Sequence, residues 1–220
     1  MAPMTPATNA ESLCRRAFRL LDDAPADRPP PEAVDLLTQA ADQHHAVAAN
    51  HLGSLYQFGR GVTRDPTEAA RLYRLAAEAG LAIGAFNLGF LHHQGEGVES
   101  NPTEARRWYE QAARDSDPTA LLNLGILLAR GEGGARDMDR ALVLWAAAAG
   151  LGEMLAAYNL GIAYAGGHHG TIEFDKAWSW FERARTMGHP QARAQQAKIE
   201  PVMTADERRA VGLPKAPAEG

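Results

Sequence analysis

The chain has 220 residues, of which 45% are hydrophobic and 22% charged, with a formal net charge of −5; this is the balance of a folded soluble protein. No block of Lys or Arg stands out, which argues against a phosphate-tracking nucleic-acid surface, and no apolar run approaches the roughly 20 residues that a membrane span needs. The single cysteine, Cys14, cannot form an internal disulfide, and the N-terminal Met1-Ala2-Pro3-Met4-Thr5-Pro6 lacks the basic and apolar regions of a secretory signal, so the cytoplasm is the expected location.

Ala fills 43 positions while aromatic residues make up only 7%. That mix favours helices packed closely on one another, because Ala is the best helix former and lets helix axes approach. In chain order, residues 1–11 are expected to be disordered. Residues 12–45 read as a degenerate capping repeat, in which Ser12 to Asp22 forms a first helix and Pro29-Pro30-Pro31 a connector. Glu32 to Leu37 opens a second helix, with Ala33, Leu37 and Ala40 in register with the B helices of the later repeats.

Four clear repeats come next, at residues 46–81, 82–117, 118–153 and 154–189. The pair Leu52-Gly53 returns as Leu88-Gly89, Leu124-Gly125 and Leu160-Gly161, a constant step of 36 residues. A second glycine comes at Gly59, Gly95, Gly131 and Gly167, then Ala69, Ala105, Ala141 and Ala177. An aromatic column (Tyr73, Tyr109, Trp145 and Phe181) and another of Ala76, Ala112, Ala148 and Ala184 complete the register.

Each unit reads as two helices. Helix A runs over about Ala46 to Phe58 in the first copy and ends at Gly59, where glycine can take the left-handed conformation that stops a helix. Helix B opens at Asp65-Pro66-Thr67-Glu68, which predicts an Asp N-cap, Pro at the first helical position and a capping box through Glu68. Asn101 opens the second copy in the same way; Asp137 and Glu173 keep the acidic residue without the proline. A glycine inside each helix A, costing about 1 kcal/mol against Ala, implies close helix contact there. The aromatic column is expected to fill the space between successive units. Residues 190–212 read as C-terminal capping helices, with Thr204-Ala205-Asp206-Glu207 as a cap, and residues 213–220 as a disordered tail.

The pattern Asn87-Leu88-Gly89, Gly95-Glu96-Gly97-Val98, Asn101-Pro102-Thr103-Glu104-Ala105 and Tyr109 with Ala112 resembles the Sel-one-like repeat (SLR) family of tetratricopeptide-like solenoids. The likeness covers roughly residues 46–192. It implies an all-α fold, a right-handed α/α superhelix of about four 36-residue helix-pair repeats with helical caps. It also implies a non-enzymatic adaptor, scaffold or regulator, of a kind frequent in bacteria. A monomer is expected. Two loops depart from the pattern: Gly133-Gly134 replaces Gly-Val, and Gly167-His168-His169-Gly170 predicts a turn of different shape.

In such solenoids helix A lines the concave face. The resemblance therefore places partner-binding positions at Asn50, Ser54 and Gln57, at Phe86, Phe90 and His93, at Leu122, Ile126 and Arg130, and at Tyr158 and Ile162. Beside them runs the column His51, Asn87, Asn123 and Asn159, whose amides can pair with a peptide backbone whatever its side chains. The segments 46–58, 82–94, 118–129 and 154–167 contain no charged residue. Either they line an uncharged groove for a peptide or partner helix, or they are helices buried on all sides. The asparagines carry a matching alternative, hydrogen bonds to neighbouring repeats. A second expected mode is a secretion-system accessory or effector-neutralising protein that binds through the convex B helices or the loops.

No Gly-x-Gly-x-x-Gly, P-loop or Gly-x-Ser-x-Gly motif occurs, and no acid, base and nucleophile converge, so no enzyme and no cofactor are expected. His44-His45 and His92-His93 are adjacent pairs, and neighbouring side chains on a helix point about 100° apart and rarely chelate one ion. The loop pair His168-His169 is the one worth testing for metal.

Overall fold

The computed structural model describes residues 6–25, 28–168 and 170–215, and among these every regular element is helical. The helices fall into two compact units, the first ending at Asp115 and the second beginning at Ser116. In the first unit α1 (Pro6–Asp22), α2 (Pro31–Asp42), α3 (Ala46–Phe58), α4 (Pro66–Glu78), α5 (Ala82–Gln94) and α6 (Pro102–Ala112) succeed one another, closed by a 3-10 turn at Ala113–Asp115. The second holds α7 (Pro118–Arg130), α8 (Met138–Gly150), α9 (Met154–Ala165), α10 (Phe174–Thr186), α11 (Ala192–Ile199), a 3-10 turn at Glu200–Val202, and α12 (Ala205–Ala210). Consecutive helices pack on one another from α1 to α6 and from α7 to α11, and α12 packs on α10.

Helix α1 begins at Pro6, inside the segment that the sequence suggests is disordered. Its core side is plain: Ala10, Cys14 and Ala17 are buried at spacings of four and three, one helical face. Residues 1–5 and 216–220, expected to be disordered, lie outside the described residues, and 213–215 carry no regular structure.

The helix ends are set by local chemistry. Asp65 accepts from the backbone N–H groups of Thr67 and Glu68, Asn101 from Glu104 and Asp137 from Arg140, each cap satisfying donors that the first turn leaves unpaired. Glu173 makes no such bond and pairs with Lys176 at 2.6 Å. The box expected at Glu68 does not close either, since that carboxylate grips Arg71 at 2.7 and 2.8 Å. A capping box does form at Thr204 and Glu207. Helices α3, α5 and α7 stop at Gly59, Gly95 and Gly131 in the left-handed conformation. Helix α9 stops one residue early, with Gly166 in the right-handed region and Gly167 taking the left-handed turn, so this helix ends differently from α3, α5 and α7.

The interior is built from the recurring columns. Ala69, Ala76, Ala105, Ala112, Ala141, Ala148, Ala177 and Ala184 are all fully buried. A Cβ on Gly53 would meet the Tyr73 ring at 2.9 Å, and on Gly89 the Tyr109 ring at 2.9 Å. On Gly125 it would meet Trp145 at 2.4 Å, and on Gly161 Phe181 at 2.4 Å. Each ring thus sits on the glycine of its own repeat rather than between repeats, because the B helix doubles back along its A helix and brings its middle opposite Leu-Gly. Small residues also set contact between repeats: a Cβ on Gly84 of α5 would come within 2.6 Å of Ala76 on α4.

Candidate partner-binding faces

Which side of each A helix stays open decides what a partner can touch. The open side runs along the helical spacing i, i+4, i+7 and i+11. On α3 it carries Val47, His51, Ser54 and Phe58, and on α5 Ile83, Asn87, Phe90 and Gln94. In the second unit the same positions are Thr119, Asn123, Ile126 and Arg130 on α7, and Leu155, Asn159 and Ile162 on α9. Large apolar side chains there are well exposed: Phe58 57%, Ile83 54%, Leu155 39% and Phe90 36%. The uncharged A helices are therefore not buried all round.

Other expected binding positions turn inward. Asn50 is 7% exposed and Leu122 5%, and Gln57 is also buried, so none of the three sits on the accessible side. Phe86 and Tyr158 are half-buried, packed against Tyr109 at 5.6 Å and Phe181 at 5.7 Å between ring centres. Tyr158 also stacks on His189 at 4.0 Å and donates to Gln191 at 3.3 Å. His93 stands edge-on to Tyr109 at 6.4 Å. These side chains hold the A and B helices of a repeat together.

The asparagine column divides. His51 lies under the edge of Phe18 from α1, 4.5 Å between ring centres. Asn87 donates to Asn50 Oδ1 at 2.9 Å, a bond between repeats. Asn123 donates back to Thr119 O of its own helix at 2.8 Å. Asn159 lines a cavity of about 410 Å³ between α7 and α9. The cavity's walls are apolar, with Ile126, Trp145, Leu155 and Ile162. Its polar edge is Arg130, Arg136, Asn159 and His168.

The corresponding place in the first unit, two repeats earlier, is filled. Gln57 stands where the cavity has Ala129, accepting from the Tyr73 hydroxyl at 2.8 Å and donating to Glu96 at 3.2 Å. Glu96 also pairs with Arg64, the counterpart of Arg136. In the second unit the Glu96 position is His168, and Arg136 reaches its backbone carbonyl at 3.4 Å and that of Ala129 at 2.9 Å. Arg130 pairs with Glu132 at 3.5 Å in an exposed setting.

The outward row Val47, Ile83 and Leu155 is absent from the positions read off the sequence. Its signal was available, since three of four copies place a bulky aliphatic residue at the same step.

Several groups are structural. Burial pushes the Cys14 thiol up to about 11 and the Tyr73 phenol up to about 12. Burial also lowers the pKa of His92, which packs at the position that Tyr56 and Tyr164 hold in other repeats. Arg107 lies over the Trp108 ring at 4.7 Å and pairs with Glu104, while Arg106 pairs with Glu110. Among the described residues no three His, Cys, Asp or Glu side chains gather as a metal site; His169 lies outside them. No helix of the described residues is long and apolar enough to cross a membrane.

The Sel1 repeat matches at residues 11–45, 46–81, 82–117, 118–153 and 155–189, so the degenerate first unit counts as a fifth copy. No curated protein matches significantly. Among solved structures, a protective antigen of uropathogenic Escherichia coli strains, displaying an SLR fold, is similar over 92% of this chain (TM-score 0.82, 25% identity). This chain spans 44% of that protein's length. A Sel1 repeat protein from Oxalobacter formigenes is similar over 95% of this chain and 87% of its own (TM-score 0.74, 28% identity). An immunity protein from Pseudomonas aeruginosa shares the fold at 22% identity, over 96% of this chain and 83% of its own (TM-score 0.51). With five matching copies across most of its length, this chain belongs to the Sel1 repeat family.

Proposed function

We propose that this chain is a non-catalytic adaptor or regulator that binds a protein or peptide partner on the open, largely uncharged side of its A helices. Sel1 repeat proteins generally mediate protein–protein interaction, and a catalytic constellation is not needed for that role. One observation carries the reading: Ile83 and Phe90, a turn or two apart on α5, stand 54% and 36% exposed on a helix that has no charged residue. Exposed apolar side chains grouped on one face mark interaction sites more often than scattered ones do. We keep the cytoplasm as the proposed compartment, because the lone Cys14 is buried and free.

Affinity capture from the native cell tests this reading. Ile83→Asp with Phe90→Asp should remove the partner, with thermal melting close to that of the unaltered chain. Arg106→Glu with Arg107→Glu should keep it. The opposite result would move the site to the B helices and support the effector-neutralising or accessory mode.

A further inference from the structure

The cavity between α7 and α9 differs from its first-unit counterpart in its polar lining. There the chain provides its own carboxylate: Glu96 pairs with Arg64 and accepts from Gln57. Here the carboxylate position is His168, the Gln57 position is Ala129, and Arg136 meets only backbone carbonyls in its hydrogen bonds. A guanidinium has five N–H donors, and two carbonyls occupy two of them. Arg130 adds a second cation at the rim, held by a single exposed pair at 3.5 Å that costs little to exchange. Asn159 contributes an amide that makes no hydrogen bond to the described residues, able both to donate and to accept.

We propose that this cavity is a subsite for an acidic peptide segment of the partner, one that inserts a large apolar side chain beside a carboxylate. The apolar side chain packs among Ile126, Leu155 and Ile162, in a volume of about 410 Å³ that falls within the range of small-ligand pockets. The carboxylate takes the place that Glu96 fills in the first unit, and charge-assisted bonds to Arg136 and Arg130 hold it. Asn159 pairs with the segment's backbone. This subsite rests on the open-face reading above, and the two can fail separately.

The test uses the full chain, labelled for ¹H–¹⁵N NMR, and three acetylated and amidated peptides in a Gly/Ser background with cores Glu-Phe-Glu, Gln-Phe-Gln and Lys-Phe-Lys. The acidic peptide should shift the Asn159 side-chain amide and the Trp145 indole N–H. The neutral peptide should bind about tenfold more weakly and the basic one not measurably, as expected of charge-assisted recognition. Arg130→Glu, an exposed change, should abolish the preference for the acidic core. His168→Glu with Ala129→Gln, which restores the first unit's glutamate and glutamine, should lose the peptide and melt close to the unaltered chain. Equal affinity for the three peptides, or full affinity in the rebuilt variant, would overturn the subsite. Shifts confined to Ile83 and Phe90 would overturn the subsite and leave the open face standing. Shifts confined to the B helices would overturn both.

Discussion

The junction of α3 with α5 and the junction of α7 with α9 are built on the same columns and finished differently. In the first, Gln57 links the Tyr73 hydroxyl to Glu96, Glu96 pairs with Arg64, and Asn87 bonds Asn50. In the second, Ala129 and His168 replace the glutamine and the glutamate, and an apolar space with a cationic edge is left. The lesson is that repeats identical in their packing columns can differ in function at the positions between them. Where the chain supplies its own polar partners the junction is closed, and where it does not, the same geometry offers those contacts to another molecule.

The largest expected effect sets the two units against each other at the packed glycines. Gly125→Ala and Gly161→Ala place a Cβ 2.4 Å from a ring and should destabilise by about 2–3 kcal/mol, as overpacking does. Gly53→Ala and Gly89→Ala, at 2.9 Å, should cost at most about 1 kcal/mol, since the helix propensity of Ala offsets a milder clash. Urea denaturation of the four variants measures this; equal losses would show that the rings adapt alike in both units.

Next in size is the loss of the first unit's polar link. Gln57→Ala takes the Gln57 acceptor from the Tyr73 hydroxyl, in a side chain that is almost wholly buried, leaves it only Ser54, and should destabilise by about 1–2 kcal/mol. Ala129→Gln, at the matching place in the second unit, should change stability by less than about 1 kcal/mol, because it extends into open space. The smallest effects concern the asparagines. Asn50→Ala removes a bond between repeats and should cost about 1 kcal/mol. Asn123→Ala removes only a bond to its own helix and should lie within about 0.5 kcal/mol of the unaltered chain. Thermal melting of both separates these outcomes.

Much of the fold can be read from the residues because the B helices are strongly patterned. Ala69, Leu72, Tyr73 and Ala76 point in while Arg71 and Arg74 point out, so period and phase are both visible. Asp65, Asn101 and Asp137 fix where these helices begin. The A helices give period without phase. Ala82 to Gln94 is nearly uniform in hydrophobicity, with no charged side to show which face meets solvent. Hence Asn50 and Leu122 read as open and are packed, while Val47, Ile83 and Leu155 escape notice. Their facing is decided by the glycine that must meet the aromatic ring of helix B: Gly89 lies against Tyr109, and the side of α5 away from that contact carries Ile83 and Phe90. The cavity was beyond reach of repeat columns alone, since its lining departs from the first unit at Ala129, Trp145 and His168, far apart in sequence.

The direct test of the open-face account is a thiol-labelling map of the A helices in a Cys14→Ala background. Ile83→Cys, Phe90→Cys and Leu155→Cys should label rapidly with maleimide, Asn50→Cys and Leu122→Cys slowly, and a bound partner should protect the 83 and 90 positions. Rapid labelling at 50 and 122 with slow labelling at 83 and 90, or a bound partner that protects neither of the latter, would contradict it.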